Sequence, residues 1–506
     1  MNKRTSFFLC IVLLILTACD SNEKQTRNIL SLSDMESWQS PAFHLSAKRI
    51  RYFIDSLRLR EPQLSYIDKY TSRFYADKQS FLWIDRIGTD TRADSLLNYL
   101  EQETPTSGLP SRLFAIRHLR EQLRLLHALE GSQEQLMARL EYGLTRSYLR
   151  MACGQRYGFI NPRHVFNQLE KQDTTDKAPY RQLFDLPTES VTDSFISEAI
   201  RAARTGTAVS FLQQTIPADP LYHRLKKELA TLPDTSDRYR RLCANLERRR
   251  WRYPRPSGKY VWVNVAAFEL RAVDEQGDSA ITMKVCVGNR KHKSPLLCSN
   301  IRYVELNPYW VVPYNIIKTE IAPLHAGKSA YFIRNRMKII EKNTKREMEP
   351  EEMTRAMFLS GQYMVRQENG EGNSLGRLIF RFPNNFSVFL HDTDNRRAFL
   401  RQNRAISHGC IRVEKPLELA VFLMQRPEEL AIDKIRLAID LPPLSKEGAA
   451  WMASEKYKPI GIHRYKPEIP VFLDYYTIYP DTEGTLRDHG DPYGYDTIIL
   501  EKLGWL

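Results

Sequence analysis

No two of the seven cysteines stand in a CxxC pair, so the thiol spacing of a structural zinc site is missing and no metal is expected. Seven thiols in 506 residues are also too few to build a disulfide scaffold. A Gly-rich phosphate loop is lacking as well. Without that loop or a zinc-finger spacing, the formal charge of +14 does not point to nucleic acid. The basic residues are scattered along the chain, as on a solvated surface, although an anionic lipid or polymer would also meet such a charge favourably. There is no long apolar run: Phe7 to Leu16 is the core of an N-terminal segment and too short for a comfortable membrane crossing. What the chain does have is a hydrophobic fraction of 42%, ordinary for globular proteins, and a length that predicts two or three domains.

Lys3 and Arg4 before that short apolar core read as an export signal over residues 1–18. Leu16-Thr17-Ala18-Cys19 is similar to the cleavage site of bacterial lipoproteins. That similarity implies that Cys19 becomes the lipidated N-terminus, held by acyl chains worth about 0.8 kcal/mol per buried methylene. Removing the segment takes away two positive charges and no acid, so +14 becomes +12. Residues 19–40 are polar and read as a flexible tether.

Residues 41–250 carry helical periodicity. Ile50, Phe53, Ile54 and Leu57 share one face, as do Leu113, Ile116, Leu119, Leu123 and Leu126. Leu136, Leu140, Leu144 and Tyr148 form another stripe, with Ser132 and Gln135 as a capping pair. Shorter helices are predicted over Asp193 to Ala203 and Tyr222 to Leu232. These stripes are core packing; no catalytic constellation accompanies them. From residue 251 the composition turns to β-branched and aromatic residues, at Tyr260 to Val273, Ile281 to Val287, Tyr303 to Leu306, Leu378 to Phe382 and Ser387 to Leu390. Glu275 to Asp278 marks a turn. Residues 314–372 are charged and poor in strand signals, and read as a helical insertion. The expected fold class is α+β: an all-α N-terminal domain at 41–250, a mostly-β domain at 251–445, and an extension at 446–506 that completes the sheet or packs on the helices. Cys286 and Cys298 flank a strand-turn region; they either pair in an oxidising compartment or stay as independent buried thiols.

The most informative stretch is Ser407-His408-Gly409-Cys410-Ile411-Arg412-Val413. His391 stands upstream at the end of the apolar Val388-Phe389-Leu390, with fifteen residues between it and Ser407. A thiol attacks only as thiolate, and a free cysteine is mostly protonated at neutral pH. A histidine within reach can take the proton. Gly409 permits a tight turn beside the sulfur, so that neighbouring N–H groups can face a developing oxyanion.

His-x15-Ser-His-Gly-Cys-Ile-Arg resembles the L,D-transpeptidase catalytic domain of the YkuD type, in particular its YcbB-like branch. The resemblance extends over Asn245 to Arg252, Val263 to Phe268, Val287-Gly288 with Ser294-Pro295, Leu306 to Pro313, and Asn373 to Arg377. It implies an active enzyme without a cofactor: Cys410 as nucleophile, His391 as proton acceptor and donor, and the Gly409 and Cys410 amides as oxyanion donors. A backbone carbonyl, with that of Asp392 as candidate, would orient His391. The pair would meet if the strand at Val388 to His391 lies beside the one leading to Cys410. His408, Arg412 and Arg377 become candidate substrate contacts, the two arginines for a carboxylate; ion pairing within the fold is their alternative role. Asn307, Tyr309 and Trp310 would shape the site floor or simply pack. Residues 314–372 correspond to a lid, and the wall-binding module that many such proteins insert before Asn245 to Trp251 is missing from the sequence. The implied substrates are peptidoglycan tetrapeptide stems joined by 3→3 cross-links in the periplasm of a diderm bacterium, and the implied inhibitors are carbapenem β-lactams. Rival readings are an L,D-carboxypeptidase, in which water replaces the acceptor amine, and a non-catalytic wall-binding lipoprotein.

Overall fold

A computed structural model describes residues 45–60, 65–85, 88–171, 179–254 and 256–506. The expected signal, Cys19 and the tether lie outside these residues. The described chain forms two compact units. One comprises the residues up to Ile160, Glu189–Arg252 and Ile499–Leu506; the other comprises Asn161–Thr188 and Tyr253–Ile498.

The first unit is helical. Its centre is the helix Gln133–Tyr157, whose buried residues include the stripe Leu136, Leu140, Leu144 and Tyr148. Ser132 precedes this helix but makes no side-chain cap bond to it; its hydroxyl points instead at Glu134. Glu141, mid-helix and fully buried, accepts hydrogen bonds from the Tyr75 hydroxyl at 2.6 Å and from the Leu82 and Trp83 amides at 2.6 and 2.8 Å. The carboxylate thus holds a loop that would otherwise bury unpaired N–H groups. Glu247, in the helix Asp237–Arg250, plays the same part for the Ile160 amide and the Trp251 indole, with Arg250 beside it. The segment Asn245 to Arg252 is therefore a packing device. In the tail, Trp505 donates to the Gly108 carbonyl at 3.0 Å and its ring meets Tyr239 edge-on.

The second unit is built on a closed sheet. Its strands are β1 (Tyr260–Asn264), β2 (Glu269–Val273), β3 (Ser279–Gly288), β4 (Leu296–Leu306), β5 (Leu378–Arg381), β6 (Leu390–His391), β7 (Ala405–Ser407), β8 (Ile411–Val413) and β9 (Ile462–Asp474). The order β5-β6-β8-β3-β2-β1-β9-β4 closes because β4 also pairs with β5, which removes exposed edges from that ring. Alternation makes these strands: Val261 and Val263 are fully buried while Tyr260 and Trp262 are half-exposed. Asp274 accepts the Gln276 and Asp278 amides to turn β2 into β3. The predicted strand at Ser387 to Leu390 is only β6. Ser387 has a φ of +56°, and the Asn384 side chain ties up the Val388 N–H and C=O. Pro416 opens the helix Pro416–Phe422. Cys286 and Cys298 are both free thiols.

The insertion between β4 and β5 is not the purely helical span expected. It contains a four-stranded antiparallel sheet of Glu347–Met348, Met337–Glu341, Tyr363–Gln367 and Trp310–Val311. Its strands are short, and the adjacent apolar pairs Ile339-Ile340 and Met364-Val365 break the alternation, so the period-2 signal is lost. These residues join Val312, Ile317, Ile321, Phe332, Met353 and Phe358 in a separate small core.

Candidate active site

β6 and β8 run parallel, with Leu390 opposite Ile411 and His391 opposite Arg412. Continuing that register places Cys410 opposite Phe389. Side chains alternate across a sheet, so Leu390 and Ile411 enter the core while His391, Cys410 and Arg412 share the other face. Cys410 and His391 are diagonal neighbours there. Cys410 therefore precedes its pairing strand; β7, which leads to it, pairs with β3 instead. Each residue is fixed locally. The Ile411 N–H donates to the Phe389 carbonyl at 3.0 Å, and the Phe389 ring packs edge-on against the His391 ring.

His391 is buried, and its Nδ1 lies 2.5 Å from the Asp392 carbonyl. That carbonyl accepts only if Nδ1 carries the proton, which leaves Nε2 as the free base. Burial first, then the Arg412 charge, lowers the imidazole pKa to about 3, against the pull of the Asp392 and Leu375 backbone hydrogen bonds. The Asp392 carboxylate secures the turn by accepting the Arg377 and Thr393 amides at 2.8 and 2.7 Å and the Arg396 guanidinium. Gly376, at φ +63°, approaches this carboxylate so closely that any Cβ would collide with it. Burial raises the Cys410 thiol to about 11, opposed by a backbone hydrogen bond from Phe389 and by the Arg381 and Arg412 charges. At neutral pH the thiol and the imidazole are therefore both uncharged.

Gly409 has a φ of +118°, accessible only to glycine without strain. Its N–H is not a free oxyanion donor: it donates to Ser407 Oγ at 3.1 Å, and Ser407 Oγ in turn donates to the Cys410 carbonyl at 2.6 Å. Of the two amides expected as oxyanion donors, that of Gly409 is thus engaged, while that of Cys410 has no hydrogen-bond partner among the described residues.

The predicted substrate contacts divide. Arg412 is half-exposed, and its Nε is buried with no hydrogen-bond partner among the described residues. Arg377 is engaged: its guanidinium meets Asp440 and Asn307 Oδ1. Asn307, at φ +48°, also accepts the Gly370 amide at 2.9 Å, so it ties the two ends of the insertion. Tyr309 is exposed, with Arg366 over its ring. Trp310 packs against the insertion core. All three residues are engaged with the insertion. His408 Nε2 lies 2.6 Å from Glu320 Oε1 of the insertion, and its ring faces His292 at 4.9 Å. Arg381, which pairs with Glu305 and lies over Phe389, carries no signal in the sequence beyond its place in a predicted strand; Ser294, there only part of the resemblance, reaches the Gly409 carbonyl with its hydroxyl at 2.7 Å. Among the described residues, no His, Cys, Asp and Glu cluster suits a metal.

Residues 258–432 match the family model of the L,D-transpeptidase catalytic domain, YkuD. Residues 69–229 match that of the Scaffold domain. A protein of Haemophilus influenzae (strain ATCC 51907 / DSM 11121 / KW20 / Rd) named "Putative L,D-transpeptidase" is 27% identical over 315 residues, which is 61% of this chain and 60% of that relative. Residues 258–432 thus carry a domain matched as the YkuD-type L,D-transpeptidase catalytic domain, with a region matched as a Scaffold domain preceding it in sequence.

Proposed function

We propose that the protein is an L,D-transpeptidase that joins peptidoglycan tetrapeptide stems by 3→3 cross-links through a thioester on Cys410. The observation that carries this reading is the parallel pairing of His391 with Arg412, which brings Cys410, directly before that strand, next to His391. His391 Nε2 takes the thiol proton as Sγ attacks the carbonyl of the third stem residue. The same proton then goes to the departing D-Ala amine. An acceptor side-chain amine attacks the thioester next, passes its proton through His391 to sulfur, and frees the thiol. Arg412, the cation without a partner at Nε, binds a stem carboxylate. His408 lines the acceptor side beneath the insertion, which acts as a lid.

The test is to incubate the purified chain with tetrapeptide stems and analyse products by mass spectrometry. Release of D-Ala together with a 3→3 dimer supports the reading. Release with tripeptide monomer alone makes the enzyme a carboxypeptidase, and no release at all leaves a wall-binding protein. The proposal includes a lipid anchor at Cys19 that holds the protein in the periplasm. Cys19→Ala should then be recovered without detergent or with its signal intact, and a Cys19→Ala protein cut after Ala18 yet still membrane-bound would contradict the anchor.

A further inference from the structure

The Gly409 carbonyl is held by a fully buried side chain far away in sequence. Ser294 Oγ donates to that carbonyl at 2.7 Å and accepts the Gly288 N–H at 2.9 Å. Tyr493, also buried, closes the group: its hydroxyl donates to the Gly288 carbonyl at 2.7 Å and accepts the Ser294 N–H at 3.0 Å. The loop is too tight for any side chain at Gly288, where a Cβ would collide with the His292 carbonyl. Tyr493 is anchored in turn, since its own N–H donates to the Tyr475 hydroxyl at 3.1 Å. Four hydrogen bonds therefore converge on one orientation of the Gly409–Cys410 peptide.

In a trans peptide the carbonyl and the following N–H point in opposite directions. Fixing the Gly409 carbonyl on Ser294 therefore turns the Cys410 N–H away from Ser294, and among the described residues that N–H has no hydrogen-bond partner. Because the Gly409 N–H is spent on Ser407, the Cys410 N–H is the donor left beside the sulfur. A donor preorganised where negative charge develops costs nothing to reorient during the reaction. We propose that Ser294 and Tyr493 are positioning residues that aim the Cys410 N–H at the developing oxyanion. This rests on the reading of Cys410 as an acyl-accepting nucleophile.

Two reagents separate the donor from the thiol. p-Nitrophenyl acetate acylates Cys410 through a tetrahedral oxyanion: the Sγ–C bond forms, p-nitrophenolate leaves, and His391 takes the thiol proton. Iodoacetamide alkylates the same sulfur by displacing iodide, with no oxyanion. On the full chain, Ser294→Ala should slow acylation by about 10- to 100-fold, short of or near the loss from deleting a donor outright, and leave the alkylation rate as in the wild type. Tyr493→Phe approaches the same carbonyl from the other end of the group and should act in the same direction, so the test survives if one variant folds poorly. Equal losses with both reagents, or no loss with either variant, would overturn the proposal. Failure of the transpeptidase reading looks different: the wild type would release nothing from stem peptides while both reagents still labelled Cys410.

Discussion

His391 and Arg412 stand directly opposite each other across a parallel strand pair, and the guanidinium helps to keep the imidazole uncharged. Arg412→Gln removes that charge, so the His391 pKa should rise, and the acid limb of a pH–rate profile should move to higher pH. If Arg412 also binds the stem carboxylate, KM should rise roughly 10- to 100-fold, as expected for a lost hydrogen bond between charged groups. Arg377→Gln should behave differently, because Arg377 is bound to Asp440 and Asn307: thermal stability falls and the pH profile stays. Steady-state kinetics and thermal unfolding on both variants check the contrast.

The Cys410 thiol is raised to about 11 by burial. Its alkylation by iodoacetamide should therefore be slow at pH 7 and climb about tenfold per pH unit up to that value. A plateau near pH 7 would mean a preformed thiolate–imidazolium pair.

Much of this site was legible in the sequence. His391, Gly409 and Cys410 lie in a short local pattern, and the hairpins β1 to β3 announce themselves through Val261, Val263 and the Asp274 turn. What was hidden depends on long-range bonds. Ser294 and Tyr493 are 199 residues apart, and nothing local in either marks the shared hydrogen bond. The Ser407 hydroxyl that takes the Gly409 N–H removed a donor that glycine alone had suggested. Met337–Glu341 and Tyr363–Gln367 pair with each other over a separate small core, and the adjacent apolar residues Ile339-Ile340 and Met364-Val365 hide the alternation of a strand.

Acid stability reports on the buried base. His391 titrates near 6.5 when unfolded and at about 3 when folded, so below pH 6.5 the unfolded chain binds a proton that the folded chain refuses. Stability is complete above pH 6.5 and is lost as pH falls toward 3, by about 1.4 kcal/mol per unit. Between pH 7 and pH 5 the wild type should lose about 2 kcal/mol more than His391→Gln. Urea unfolding at the two pH values measures the difference. Equal losses would show that His391 is charged in the folded protein.

The central claim is that Cys410 is the nucleophile and His391 its base. The direct measurement is intact-mass kinetics of acylation by a carbapenem for the wild type, Cys410→Ala, His391→Ala and Cys286→Ala. The account predicts one adduct on the wild type and on Cys286→Ala, none on Cys410→Ala, and about 10²- to 10⁴-fold slower acylation of His391→Ala. An adduct on Cys410→Ala, or acylation of His391→Ala at the wild-type rate across neutral pH, would contradict it.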